Sequence, residues 1–308
     1  MVSLIIPVYN AGDKLMQMLE CVGRQTEKDL EILIIDDGST DDSGDVCDNA
    51  ARKIRGVRVF HQENKGVSAA RNEGMRQAKG DYIAFVDADD RIPDNYIRSM
   101  RETLEKENAD AVVTAVAYIE NGVRTQIYSP ERGVFTGTQI LNRMLSRERV
   151  NSGPYGKLFR RRVIAGLSFP ELTVYEDIVF SAQAFGKCRK VAALPSVCYE
   201  YLRNEAGAMC RNEKCPSEDV LTGLDAVADL IRRNKKLDAK CFYVTLSHLM
   251  QHVQNAHRGG LEEGHRFVRK ARRIYRKYLP NILASKAFSA KEKIVYAQFA
   301  LGGRRILR

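Results

Sequence analysis

Three aspartates crowd into four positions, Asp87, Asp89 and Asp90, directly behind the apolar run IAFV. Carboxylates this close resist ionising together, so the cluster calls for a positive neighbour. At the carboxyl end of a strand Asp87 and Asp89 share a face, because side chains two apart point the same way. Two carboxylates on one face suit Mg²⁺ or Mn²⁺, which takes one or two protein carboxylates and fills its shell with water and substrate phosphates. Asp90 would then cap the helix that begins near Pro93. A polar loop capping that helix is the plain alternative for the whole cluster.

Three further stretches carry groups able to do chemistry. In IIDDGSTDDS (34–43), Gly38 permits a tight turn while Asp36 and Asp37 present carboxylates that can accept from a base N–H or a ribose hydroxyl. A turn chosen for its backbone chemistry explains the same residues. NKGVSAARNEG (64–74) sets Gly66, Lys65 and Arg71 beside a helix start, a natural neighbour for a diphosphate. In TVYEDIVF (173–180), Glu176 and Asp177 open a helix, where acids complement the dipole and where one of them could serve as a general base. No G-x-G-x-x-G and no P-loop occurs, which removes the main support for an NAD-type or P-loop reading. His248 and His252 stand four apart without a third ligand or catalytic Glu, and read as an ordinary helix face.

These groups need a frame, and the hydrophobic pattern supplies one. Strand-type runs at 2–8, 30–36, 57–62, 81–88 and 109–119 alternate with helical patterns at 11–25, from Asp41 and Asp42 to Ile54, at 68–78 with Ser68 as N-cap, and from Pro93 to about Lys106. Strand–helix–strand repetition means an α/β fold with a mostly parallel sheet and helices on both faces. Such sheets bind ligands at the carboxyl ends of their strands, where four polar clusters fall: PVYN after the first strand, DDGSTDDS after the second, QENKG after the third and DADD after the fourth. The middle is mixed, with an extended GVRTQIYS, a short helix GTQILNRML, a helix from YEDIVF and an extended KVAALPSVCYEYLR. Beyond it come four helical patterns rich in Lys and Arg.

Composition places limits on this frame. The chain has 308 residues, 44% hydrophobic and 29% charged, which is ordinary globular usage. No apolar run approaches the ~18 residues of a membrane span. The start lacks a basic region and a cleavage site, so no secretory signal is expected. Seven scattered cysteines without a CxxC pair point to reduced thiols in a cytoplasmic protein. The net charge of +10 is uneven: residues 1–110 carry 15 basic against 22 acidic side chains, and residues 259–308 carry 13 against 3. The basic end suggests an anionic partner or a solvated helix face. A nucleic acid is not expected, because no aromatic–basic stacking pattern accompanies the charge.

VSLIIPVYN, EILIIDDGSTDDS, NKGVSAARNEG, GDYIAFVDADD and TVYEDIVF, in this order, resemble the inverting family-2 glycosyltransferases of GT-A fold. SGPYGKLFRRRVI (152–164) and VCYEYLRNEAGAM (197–209) are similar to the bacterial cell-envelope members. The resemblance implies that Pro7 and Tyr9 line a nucleotide pocket and that Asp37 binds the base, most often uracil. It implies that Arg71 lies near the nucleotide and that Asp87 and Asp89 form a DxD-type motif, with Asp89 the direct metal ligand. Asp177 would be the catalytic base, with Glu176 beside it. The family often carries serines where this chain has Ala206-Gly207-Ala208. The domains expected are a GT-A domain over 1–210, with a nucleotide-sugar half at 1–110 and an acceptor half at 111–210, and a basic helical region over 211–308. The activity implied is metal-dependent transfer of a hexose from a nucleotide sugar, UDP before others, to a saccharide or lipid-linked glycan in envelope polysaccharide synthesis. The acceptor reading puts the protein in the cytoplasm, on the inner face of the membrane. A silent nucleotide-sugar-binding scaffold is the alternative; loss of Asp89 or Asp177 would mark it, and both are present.

Overall fold

In the computed structural model the described residues are 1–203, 217–262 and 264–303. They form two compact units, Met1–Arg203 and Asn204–Arg308. The Ala206-Gly207-Ala208 stretch lies outside the described residues.

The first unit alternates as its periodicity requires. It runs β1 (Val2–Val8), α1 (Asp13–Gly23), β2 (Leu30–Asp36), α2 (Ser43–Lys53), β3 (Val57–His61), α3 (Val67–Gln77), β4 (Tyr82–Phe85), α4 (Tyr96–Lys106) and β5 (Ala111–Glu120). Then come β6 (Val123–Tyr128), β7 (Gly133–Phe135), α5 (Gly137–Leu145), β8 (Lys157–Arg160), α6 (Arg161–Ile164), α7 (Glu176–Lys187) and β9 (Val191–Leu202). The sheet order is β3-β2-β1-β4-β8-β5-β9-β7, with β6 pairing β5. Strands β3, β2, β1 and β4 are parallel, and so are β5 and β9; β8 inserts antiparallel between β4 and β5. This is the GT-A form of the α/β fold.

Alternation along the strands divides the core into two layers. Leu4, Ile6, Ala84, Val86 and Leu158 pack with Leu15 and Met18 of α1, Cys47 of α2 and Tyr96 and Met100 of α4. On the other face, Phe85 and Phe159 meet Phe180 of α7 at ring-centroid distances of 5.8 and 6.4 Å. Helix α3 lies so close to β1 there that a Cβ on Gly74 would stand 2.4 Å from Ile5 Cγ2.

Two local expectations are corrected. Ser68 does not cap α3: Gly66 is the N-cap at φ 88°, and the Ser68 hydroxyl donates to the Leu172 carbonyl at 3.4 Å. Strand β4 ends at Phe85, short of the predicted 88, because the chain turns at Asp87–Asp90 with the Asp90 N–H donating to the Asp87 carbonyl.

The second unit is helical: α8 (Glu218–Arg233), α9 (Ala239–Arg258), α10 (Arg266–Ala284) and α11 (Ala290–Ala300). Its core is aromatic, with Phe242, Tyr275, Tyr278, Phe288 and Phe299 buried. The Tyr275 hydroxyl donates to the Leu246 carbonyl, and that of Tyr278 to Asp225 Oδ1 at 2.7 Å. Among the described residues no helix is long and apolar enough to cross a membrane.

Candidate active site

Strand order reverses at β1, whose neighbours β2 and β4 carry the chain away in opposite directions, and such a crevice is where α/β sheets bind ligands. The residues at its rim follow from the strand ends. After β1 comes Tyr9, 51% exposed, and then Asn10 at φ 47°, whose amide group and Thr40 exchange hydrogen bonds. Pro7 is a buried β1 residue in register with Ile35. After β2 comes Asp37, 3% exposed. Its carboxylate accepts from Gln62 Nε2 at 2.6 Å and from the backbone N–H groups of Lys65 and Gly66 at 3.0 and 2.8 Å. It thereby ties the turn after β2 to the loop that starts α3. Its neighbour Asp36 binds His61 Nδ1 at 2.8 Å. Burial opposes the Asp36 charge, but hydrogen bonds from Ser39 and His61 hold the carboxyl below its usual range.

The turn after β4 supplies the acids. Arg71, 4% exposed on α3, donates from Nη2 to Asp87 Oδ1 and from Nη1 to Glu176 Oε1, both at 2.8 Å. One guanidinium thus reaches a carboxylate 16 positions along the chain and another 105 positions along it. Burial disfavours the Arg71 charge, yet Asp87 and Glu176 raise its pKa above the ordinary value. Its Nε is buried without a hydrogen-bond partner. The expected pleat does not place Asp87 and Asp89, since the strand has ended; the turn does. Asp87 is held by Arg71, while Asp89 lies 3.9 Å from Lys14 Nζ on α1. Burial, then the charge of Asp87, pushes the Asp89 carboxyl up, with Lys14 opposing.

Asp90 is not a helix cap. Asn95 stands at the N-cap of α4, and Asp90 is 1% exposed. It accepts from the Tyr199 hydroxyl and from the Leu202 N–H at 2.8 Å. Tyr199 in turn accepts from the Asp87 N–H at 3.0 Å, so strand β9 holds the aspartate turn from behind. Burial first, then Asp87 and Asp89, raises the Asp90 pKa well above its ordinary value.

Glu176 and Asp177 open α7 behind Tyr175, a non-glycine residue at φ 67°. A left-handed residue at that point re-aims the chain, a strained conformation characteristic of functional sites. Burial and the Asp177 charge push Glu176 up to about 7 against the pull of Arg71. Burial also raises Asp177, with Arg71 and Lys157 opposing. Thus Arg71, Asp87, Glu176 and Asp177, four of the residues singled out in the sequence, share one electrostatic cluster. Lys14, Lys157, Tyr199 and the support role of Asp90 were not foreseen. Lys157 lies in the stretch SGPYGKLFRRRVI, and a four-residue strand has too little periodicity to show which way its lysine points.

Among the described residues no group of three or more His, Cys, Asp or Glu side chains is gathered to hold a metal. Mn²⁺ and Mg²⁺ do not need one, because phosphates and water complete their shell. Asp89 fits such an ion: its carboxylate is crowded by Asp87, and its cation partner, Lys14, stands at the outer limit of an ion pair.

Residues 3–167 match the family described as Glycosyl transferase family 2. Glycosyltransferase GlyG of Streptococcus pneumoniae is 30% identical over 256 residues, 75% of this chain and 85% of that protein. Among solved structures, S. aureus TarS in complex with UDP superposes with a TM-score of 0.77 at 19% identity, over 99% of this chain and 88% of that one. A mannosyltransferase from Pyrobaculum calidifontis in complex with GDP-Man and Mn²⁺ gives a TM-score of 0.56 at 15% identity, over 99% of this chain and 84% of that one. The class that these matches define is a glycosyltransferase. The chain belongs to glycosyltransferase family 2.

Proposed function

We propose that this glycosyltransferase transfers a hexose from a UDP donor, with inversion, to a glycan or lipid-linked acceptor in envelope polysaccharide synthesis. The observation that carries the reading is Arg71 bridging Asp87 and Glu176, which draws the DADD turn and the Glu-Asp pair into one cluster. UDP in TarS, a protein of like fold, supports the donor. Mn²⁺ in the mannosyltransferase supports a divalent ion, Mn²⁺ or Mg²⁺.

In this reading residues 1–110 bind the nucleotide sugar. Pro7 and Tyr9 flank the nucleotide, and Asp37 meets the base with the acceptor capacity its three protein hydrogen bonds leave. Arg71 and Asp87 stand beside the diphosphate, and Asp89 would hold the metal. The ion would supply Lewis-acid stabilisation of the leaving diphosphate. Asp177 takes the proton of the attacking acceptor hydroxyl. Burial raises its basicity, and a base works best with a pKa near the operating pH. Glu176 and Arg71 hold α7 against the donor side. Residues 111–210 receive the acceptor. The basic helical region, 211–308, docks on the inner membrane surface of the cytoplasm, where a lipid-linked acceptor would lie.

Calorimetric titration with UDP, with and without Mn²⁺, on wild type and Asp89→Ala, tests the donor site. Metal-dependent binding lost in the variant supports it. Equal UDP binding in both proteins removes Asp89 as the metal ligand, and binding of GDP in place of UDP changes the donor.

A further inference from the structure

Lys157, on β8, is 1% exposed. Its Nζ donates to the carbonyls of Asn151 at 2.9 Å, Tyr155 at 3.3 Å and Gly153. An ammonium has three protons, so all of its donors go to one short loop. Carbonyls satisfy the protons but bring no opposing charge, and a buried ion without one is costly.

The opposing charge comes from α7. Lys157 and Phe159 are two apart on β8 and share a face. Phe159 packs edge-on against Phe180, at 6.4 Å between ring centroids. Phe180 is three residues beyond Asp177 on α7, hence on the same helix face. The register therefore turns Lys157 toward Asp177, and each side chain stabilises the charge of the other.

The clamped loop reaches the rest of the site as well. Asn151 Nδ2 donates to the Tyr118 hydroxyl at 2.7 Å. Tyr155 stacks on Tyr199 at 4.7 Å between centroids, and Tyr199 holds the Asp87 N–H. One buried ammonium is thus linked by hydrogen bonds and ring stacking to the aspartate turn, and by charge to the Glu-Asp pair.

We propose that Lys157 is a positioning residue for sugar transfer: its buried ammonium clamps loop 151–155 and sets a positive charge opposite the Asp177 carboxylate. The inference rests on Asp177 being the base. Other groups also face Asp177: Glu176 on its own helix, Arg71 from α3, Asp87 from the turn after β4 and Tyr118 from β5. Burial lowers the Lys157 pKa to about 7, with Asp177 opposing the fall. The pair thus bears on activity near neutral pH.

The experiment compares wild type, Lys157→Met and Asp177→Asn. In Lys157→Met, kcat falls roughly 10–100-fold, as for a displaced catalytic group. UDP affinity is unchanged, and the acid limb of the kcat–pH profile moves to higher pH, because Asp177 has lost a favourable charge. A purely structural role would lower kcat without moving that limb, and an unmoved limb in a folded variant overturns the proposal. A second measurement needs no substitution at Lys157. In ¹⁵Nζ-lysine NMR, the solvent-protected Lys157 signal titrates at lower pH in Asp177→Asn than in wild type. An unchanged midpoint overturns the proposal whatever the activity. Undiminished transfer by Asp177→Asn removes the base reading alone, since the NMR result still reports the charge pair.

Discussion

Arg71 carries one positive charge between two carboxylates, with Asp177 close by, so the buried group is net negative. Removing its only buried guanidinium would strand those charges. Arg71→Met is expected to cost about 3–5 kcal/mol in chemical denaturation, the range for breaking a buried ion pair. Arg71→Lys would keep the charge but lose the planar fork that reaches both partners. The excess negative charge also sets a pH dependence. Glu176 has a folded-state pKa of about 7 against 4.5 in the open chain. Between those values the native state holds a proton that the unfolded state has lost, so this contribution is full below about 4.5 and lost as pH rises toward about 7. Urea denaturation at pH 5 and pH 7 should show wild type losing more stability over that interval than Glu176→Gln. Equal losses would mean that Glu176 stays ionised throughout.

At the scale of elements, the site depends on how closely α3 approaches β1, because that helix carries Arg71. Gly74 permits the approach. Gly74→Ala would bring a methyl against Ile5, with Ile5 Cγ1 and Cβ also within 3.2 and 3.3 Å of it. The expected destabilisation is about 1–3 kcal/mol, as for overpacking. Ile5→Ala in the same chain should recover part of it, which a double-mutant cycle measures. The parallel elements were legible in the sequence because each carries its own hydrophobic period: β1 and β2 match the predicted 2–8 and 30–36. Strand β8 was not. It has four residues, pairs antiparallel inside a parallel frame, and takes its place only because β4 and β5 leave a gap between them. Pairing across a sheet is a long-range choice that no local window contains.

On the scale of the molecule, charge is uneven along the chain, with the acidic excess in the first 110 residues and the basic excess beyond. In α11, Phe299 belongs to the core, whereas Ile294 and the C-cap residue Leu301 are 59% and 75% exposed. Basic side chains near an anionic surface add about 1 kcal/mol each and are screened by salt. Sedimentation with anionic lipid vesicles should therefore show binding that weakens as salt rises and is lost on deleting residues 289–308. Binding unaffected by that deletion, or none at low salt, would remove the membrane reading.

The chain by itself determined the α/β alternation, the polar clusters at the strand ends and the identity of the acids, because periodicity and residue chemistry are local properties. Tertiary structure decided what those acids do. Asp90 became a buried support because Tyr199 and Leu202 of β9 arrive against it. Asp37 became a loop tie through Gln62, Lys65 and Gly66. Lys157 became the buried charge facing the Glu-Asp pair. A carboxylate or an ammonium takes its role from the partners that packing brings within hydrogen-bond reach, and those partners lie up to 112 positions away along the chain.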